Sequence, residues 1–196
     1  MSVQRKIAHE PPTLRDLDGL PPGWKGEIID GVLYTQPRPT AEHQNAILGA
    51  GEGLRGPMQR GSGGPGGWWI LVEPGVRVSG APEFSPDLAG WKKDRVPRLP
   101  SIIDIVPDWI CEVMSPGTSS YDNLIKRAFY ARIGVGWLWY VNVSDRTVHV
   151  SRLQDGHWLE LGVWGDDQMM RAEPFEVVEV ALAEWWLPRE EEGAEK

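Results

Sequence analysis

One cysteine, Cys111, leaves no intrachain disulfide and suits a reducing compartment. No stretch approaches the ~20 consecutive apolar residues that cross a bilayer, and the start MSVQRKIAHEPP has no apolar signal core. These absences lead us to expect a cytoplasmic protein without membrane contact. Basic residues are in the minority, with 20 Lys and Arg against 28 Asp and Glu for a formal charge of −8. That balance excludes a generic nucleic-acid-coating protein, which would be basic. It leaves room for chemistry on an anion, because a metal ion at an acidic site reverses the local sign. The glycine-rich run GSGGPGG at 61–67 lacks the Lys-Ser/Thr pair of a phosphate-cradling loop, and a strand pattern follows it where such a loop needs a helix. It reads as a surface connection. No internal repeat and no linker divides the sequence.

What is present is enough for a real core. Apolar residues make up 41% of the 196 positions, and eleven are tryptophans. One domain over residues 1–188 is expected, followed by a disordered acid-rich tail at 189–196. Met1 to Pro12 is polar and reads as loose, and Thr13 caps a short helix from Leu14 to Leu20. Glu27 to Tyr34 holds two strand-like runs around Asp30-Gly31, a strong hairpin signal. Ala46, Ile47, Ala50, Leu54 and Met58 recur at helical spacing, so Ala41 to Gln59 is read as a helix although four glycines weaken it. Trp68 to Val72, Gly75 to Val78 and Ser85 to Trp91 read as strands. Thr147 to Leu153, Trp158 to Trp164 and Phe175 to Val180 read as an antiparallel meander.

The centre of the chain is Pro107 to Asn142, which reads as strand, loop, helix, strand. Trp109 to Met114 is an apolar run broken by Glu112. Ser115-Pro116-Gly117 stops it, and Thr118 or Ser119 caps a helix that Gly134 ends. Trp137 to Val143 is a nearly continuous apolar run, as in a strand covered on both faces. The unit fits a right-handed crossover in a parallel or mixed sheet. Alternation puts Ile110, Glu112 and Met114 on one face and Trp109, Cys111 and Val113 on the other. Lys126 falls about 60° beyond the apolar stripe of the helix, using about 100° per residue, on a flank able to lean over the end of the strand. Acid and lysine are expected to meet there.

A buried carboxylate is costly unless it is paired or binds a cation. Asp87 opens one strand and Glu112 lies inside another. If these strands are neighbours, two hard oxygen ligands converge, and the carbonyl of Val113 is a further one. Mg2+ takes just such a set, with one or two carboxylates, several waters and a substrate phosphate. A nearby lysine would orient or deprotonate the attacking water and stabilise the pentavalent phosphorane.

Four segments together, GEIIDGVLY at 26–34, His43 with Ile47, SPDLAGW at 85–91 and PDWICEVMSPGTSSYDNLIKRAFYARIGVGWLWYVN at 107–142, resemble the Uma-type family of restriction endonucleases. That family, formerly a domain of unknown function, sits within the PD-(D/E)XK nuclease superfamily. The resemblance implies an α/β (α+β) restriction-endonuclease-like core, a mixed β-sheet flanked by helices. It also implies Mg2+-dependent cleavage of DNA, with Mn2+ as a substitute. By position, Asp87 matches the acid of the Pro-Asp motif and Glu112 the second acid, with Asp87, Glu112 and Val113 holding the metal. Met114 stands where the parent E-x-K motif has lysine, and Lys126 takes the relocated place on the following helix. Glu27 matches an early acid that assists, and His43 an early histidine without an assigned role.

Plainer roles compete for the same residues. Glu112 would serve as a buried acid paired with Lys126, Asp87 as a turn cap after Pro86, and Glu27 as part of a surface hairpin beside Lys25. Cys111 reads as core packing, and His149 and His157 as solvent-facing. At the level of function, one rival is a catalytically inactive nuclease fold acting as an interaction module. Another is a glycan-active enzyme with paired acids in a tryptophan-lined cleft. The apolar late strands and Trp185-Trp186 are expected to supply a homodimer face.

Overall fold

The computed structural model describes residues 3–6, 11–114 and 122–189. The stop at 115–117, the cap at Thr118 or Ser119 and the tail from 190 onward lie outside the described residues.

The elements in chain order are β1 (Gln4–Lys6), α1 (Leu14–Asp18), β2 (Trp24–Ile29), β3 (Val32–Pro37) and α2 (Ala41–Leu54), which runs on into a π-helical turn (Arg55–Arg60). Next come β4 (Trp68–Val72), β5 (Val76–Val78), β6 (Ala81–Phe84), β7 (Leu88–Lys92) and β8 (Trp109–Met114). A π-helical turn (Asp122–Lys126) leads into α3 (Arg127–Ile133). The chain then forms β9 (Trp137–Asn142), β10 (Thr147–Gln154), β11 (His157–Gly165), β12 (Met169–Met170), β13 (Val180–Ala181) and a 3-10 turn (Leu182–Trp185).

The hairpin follows from its turn. Asp30 and Gly31 have φ of 52° and 71°, the double left-handed conformation that matches strand twist. Ile29 therefore sits opposite Val32, and the same register places Lys25 opposite Gln36. In α1, the Thr13 N–H and hydroxyl both donate to the Asp16 carboxylate, at 2.7 and 3.0 Å. The helix ends at Asp18, short of the expected Leu20.

The main sheet has the order β11-β10-β9-β8-β7-β4, with β8 and β9 parallel and every other pair antiparallel. The crossover from β8 through α3 to β9 is the unit expected from the sequence. Gly134, with φ of 86°, closes α3. A second sheet has the order β1-β3-β2-β6-β5. The two faces of β8 lead to two cores, as alternation requires. Trp109, Cys111 and Val113 pack with α2 and the rings of Trp139 and Phe175. Ile110 packs with Phe129 and Tyr130 of α3 and with Ile29, Val76 and Phe84 of the second sheet.

Four expectations need correction. Residues 4–6 are not loose but form β1, paired with β3. Ser85, Pro86 and Asp87 precede β7, whose first residue is Leu88. β6 was not foreseen, because Pro82 interrupts an already short run. Phe175 to Val180 is not a strand except at its last residue. The N–H groups of Phe175 and Val178 donate to Ala172 and Phe175 carbonyls, and these turns send both side chains into the core. The glycines of α2 also have a purpose. A Cβ on Gly49 would lie 2.9 Å from a Trp185 ring carbon, and one on Gly53 would lie 3.0 Å from Val180, so both permit close approach of the C-terminal segment. Among the described residues, no helix is long and apolar enough to cross a membrane.

Candidate active site

Strand register brings the two motif acids together. Leu88 is opposite Cys111 and Ala89 opposite Ile110 in the antiparallel β7–β8 pair. The pairing ends at Leu88, and Asp87, the residue before β7, continues toward the end of β8 that carries Glu112, where its side chain takes the Val113 N–H. Both acids are buried, at 3% and 2% exposure, so each must find partners.

Asp87 finds them on three elements. Its Oδ2 accepts the Val113 N–H at 2.8 Å and lies 3.2 Å from His43 Nε2. Its Oδ1 lies 3.6 Å from Lys25 Nζ. His43 is placed by the first turn of α2, where its N–H donates to the Thr40 hydroxyl at 3.4 Å. Lys25 and Glu27 share one face of β2 by alternation. Burial alone would raise the Asp87 carboxyl. The hydrogen bond and field of His43, with Lys25 and Lys126, outweigh it and hold the group well below the usual carboxylate range. Burial also lowers the Lys25 ammonium, but the charge of Asp87, helped by Glu27 and Glu73, more than offsets this and raises it.

Glu112 is held from the helix side. Its Oε1 accepts from Lys126 Nζ at 3.0 Å and from the Tyr130 hydroxyl. Lys126, 2% exposed, also lies 3.1 Å from Glu27 Oε2. Glu27 Oε1 in turn accepts the Ser85 N–H at 2.8 Å. Lys126 ends the π-helical turn and Tyr130 follows four residues later, so both present to the same acid. Burial, and then the Glu112 charge, pushes the Tyr130 hydroxyl well above its ordinary range, which keeps it a donor. Burial, then Asp87 and Glu112, likewise raises the Cys111 thiol, and this residue packs in the core as an inert side chain.

The structure thus gathers Asp87, Glu112, Lys126 and Glu27 into one buried cluster. Glu27 is 3% exposed, so it is not part of a surface hairpin face. Three residues join that the sequence reading left without a role: His43, Tyr130 and Lys25. Two buried polar atoms beside the cluster, Gln36 Oε1 and His43 Nδ1, have no hydrogen-bond partner among the described residues. Among those residues, no group of three or more His, Cys, Asp or Glu forms a ligand cluster. The hard oxygen donors at hand are Asp87, Glu112 and the carbonyl of Val113. That carbonyl faces the same edge of β8 as its N–H, where β7 has ended and Asp87 lies.

Curated proteins give no significant match. Among solved structures, the chain is similar to one described as "a putative nuclease belonging to DUF820 from Anabaena variabilis ATCC 29413". The TM-score is 0.66 at 20% identity, over 89% of this chain and 97% of that one. At that identity the likeness establishes the fold, a mixed sheet flanked by few helices. The family model Uma2, described as "Putative restriction endonuclease", matches residues 11–187, and the chain therefore belongs to that family.

Proposed function

We propose that this protein is a Mg2+-dependent endonuclease that hydrolyses DNA phosphodiester bonds. One observation carries the reading: two buried acids lie at the end of β7–β8, Asp87 beside Lys25 and Glu112 paired with Lys126, in a chain of the restriction endonuclease family. The donor set suits Mg2+, which takes one or two carboxylates and keeps several waters. His43 Nδ1, on the side of the ring away from Asp87, has no hydrogen-bond partner among the described residues, which leaves room for a further polar group there. Asp87, Glu112 and the Val113 carbonyl would hold the ion, with Mn2+ as a substitute. When bound, it would supply Lewis acidity to the phosphoryl oxygen.

The chain's own residues set the stage for hydrolysis. Water oxygen bonds to phosphorus, one ester P–O bond breaks with its electron pair, and the leaving sugar oxygen takes up a proton. Lys126 fixes Glu27 and Glu112 relative to one another and adds positive charge beside the developing phosphorane. Val113 N–H and His43 fix one oxygen of Asp87. Cutting both strands suits a two-fold pair. The outer strand β11, the edge of the main sheet, is where we propose that a second copy docks.

A second reading, a nuclease-fold interaction module without activity, is favoured by the closure of the ionic network itself. Lys126 already pairs with both Glu112 and Glu27, offsetting one of their two charges. Calorimetric titration with Mg2+ and Mn2+, run on wild type, Asp87→Asn and Glu112→Gln beside plasmid nicking, separates the two. The nuclease reading expects binding heat and nicking from wild type and neither from the variants. A folded wild type that takes up no metal would establish the second reading instead.

A further inference from the structure

The cluster contains two lysines in different circumstances. Lys126 is enclosed, its side chain 3% exposed and its ammonium within 3.1 Å of two carboxylates. To touch a substrate it would have to leave both acids. Lys25 is open, with 28% of its side chain exposed. Its Nζ stands 3.6 Å from Asp87 Oδ1, beyond hydrogen-bond range, and 3.3 Å from Glu73, itself 47% exposed. Lys25 is thus the cation at which the buried acids meet solvent. An anionic phosphodiester approaching Asp87 and Glu112 needs a cation of that kind.

Gln36 lies directly opposite Lys25 in the β2–β3 hairpin, so the two side chains stand on one face with Cβ atoms about 5 Å apart. Gln36 is 8% exposed, and its Oε1 accepts nothing among the described residues. A buried amide oxygen without a donor is costly. That oxygen has almost no exposed surface, so a molecule carrying O–H satisfies it only when the partly exposed Lys25 side chain moves aside.

We infer that Lys25 and Gln36 form the substrate-phosphate subsite of this active site, Lys25 contacting a phosphoryl oxygen and Gln36 orienting the attacking water. The inference deepens the nuclease reading and rests on it. Lys25 keeps its protons throughout and only neutralises charge on a non-bridging oxygen. Gln36 accepts one hydrogen bond from the water whose oxygen bonds to phosphorus. The water's protons are released to solvent, and the leaving sugar oxygen draws its proton from there.

The test uses Lys25→Met, Lys25→Arg and Gln36→Leu in the full chain, with plasmid nicking, Mg2+ calorimetry and thermal melting of each. Loss of one preorganised donor predicts a nicking rate lower by about 100-fold in Lys25→Met. Mg2+ binding and the melting midpoint should stay close to wild type, and Lys25→Arg should recover most of the rate. Gln36→Leu should slow turnover with little change in KM. Nicking by Lys25→Met within threefold of wild type would overturn the inference. So would a loss that follows the melting midpoint and is not recovered by arginine, since Lys25 would then only pair with Glu73 and Asp87. Binding of a duplex oligonucleotide in Ca2+, followed by anisotropy, keeps the two readings apart. If wild type does not nick, the nuclease reading fails, yet weaker oligonucleotide binding by Lys25→Met still supports the subsite and unchanged binding removes it.

Discussion

The two ends of the β7–β8 pair carry the same kinds of residue and treat them in opposite ways. At the far end, Asp108 accepts the Lys92 N–H at 2.8 Å and holds Arg95 through a fork of contacts between 2.9 and 3.1 Å. Lys92 and Lys93 lie over the rings of Trp137 and Trp69, at 4.7 and 4.5 Å. These charges keep their water, with Arg95 42% exposed. At the near end, Asp87, Glu112, Glu27 and Lys126 are each 3% exposed or less. Apolar side chains would fill such a space at lower cost, since desolvating an ion pair often outweighs its attraction. A buried ionic cluster of this kind is weak evidence of a stabilising role, which is why the proposed function is assigned to this end. The far end, by contrast, is explained by packing and pairing alone.

The largest effect that would break this comparison comes from removing the central cation. Lys126→Met leaves Glu27 and Glu112 buried without the ammonium between them. A loss of about 3–5 kcal/mol is expected, as for other buried pairs that lose one partner, read as a lower urea midpoint with unchanged slope. Adding Glu27→Gln and Glu112→Gln to that variant should restore most of the stability while leaving it inactive. If the single variant is as stable as wild type, the near end is not under electrostatic load and the contrast with the far end collapses.

A smaller effect lies in the acid limb of stability. The folded Asp87 carboxyl is held below its unfolded value, near 3.9 for a free aspartate. The native state therefore binds fewer protons than the unfolded chain as acid is added. The stabilisation is fully present above about pH 5 and is lost as pH falls through 4 and below. Urea midpoints between pH 5.5 and 3 should drop more steeply for wild type than for Asp87→Asn. Parallel curves would show that His43 and Lys25 do not act on Asp87 as their distances imply.

How much of this was legible depends on whether the information was local. The Asp30-Gly31 turn sets the hairpin register, and with it the placement of Gln36 opposite Lys25. Helical angle alone led Lys126 back to Glu112. Tyr130, four residues on, carried the same signal. The contact of His43 with Asp87 had no local sign, because it depends on where α2 docks against the sheet. Gly49 and Gly53 looked like weaknesses until Trp185 and Val180 arrived to fill the space. Phe175 to Val180 is rich in β-branched residues like a strand, but a core that takes in Phe175 and Val178 through turns overrides that propensity.

The smallest effect sharpens the far end. Arg95→Ala removes the fork on Asp108 and a hydrogen bond to the Val106 carbonyl at 2.6 Å. The geometry is bidentate, the stronger form of such a pair. Even so, Arg95 is substantially exposed, and the freed Asp108 keeps the Lys92 N–H and gains water. Solvent therefore replaces most of what is lost, and the expected cost is at most about 1 kcal/mol. If the proposed function holds, nicking should stay at the wild-type rate, because the proposed site lies at the other end of both strands. A loss of activity here, with stability intact, would mean that the far end also contacts substrate. The two ends would then differ in burial but not in role.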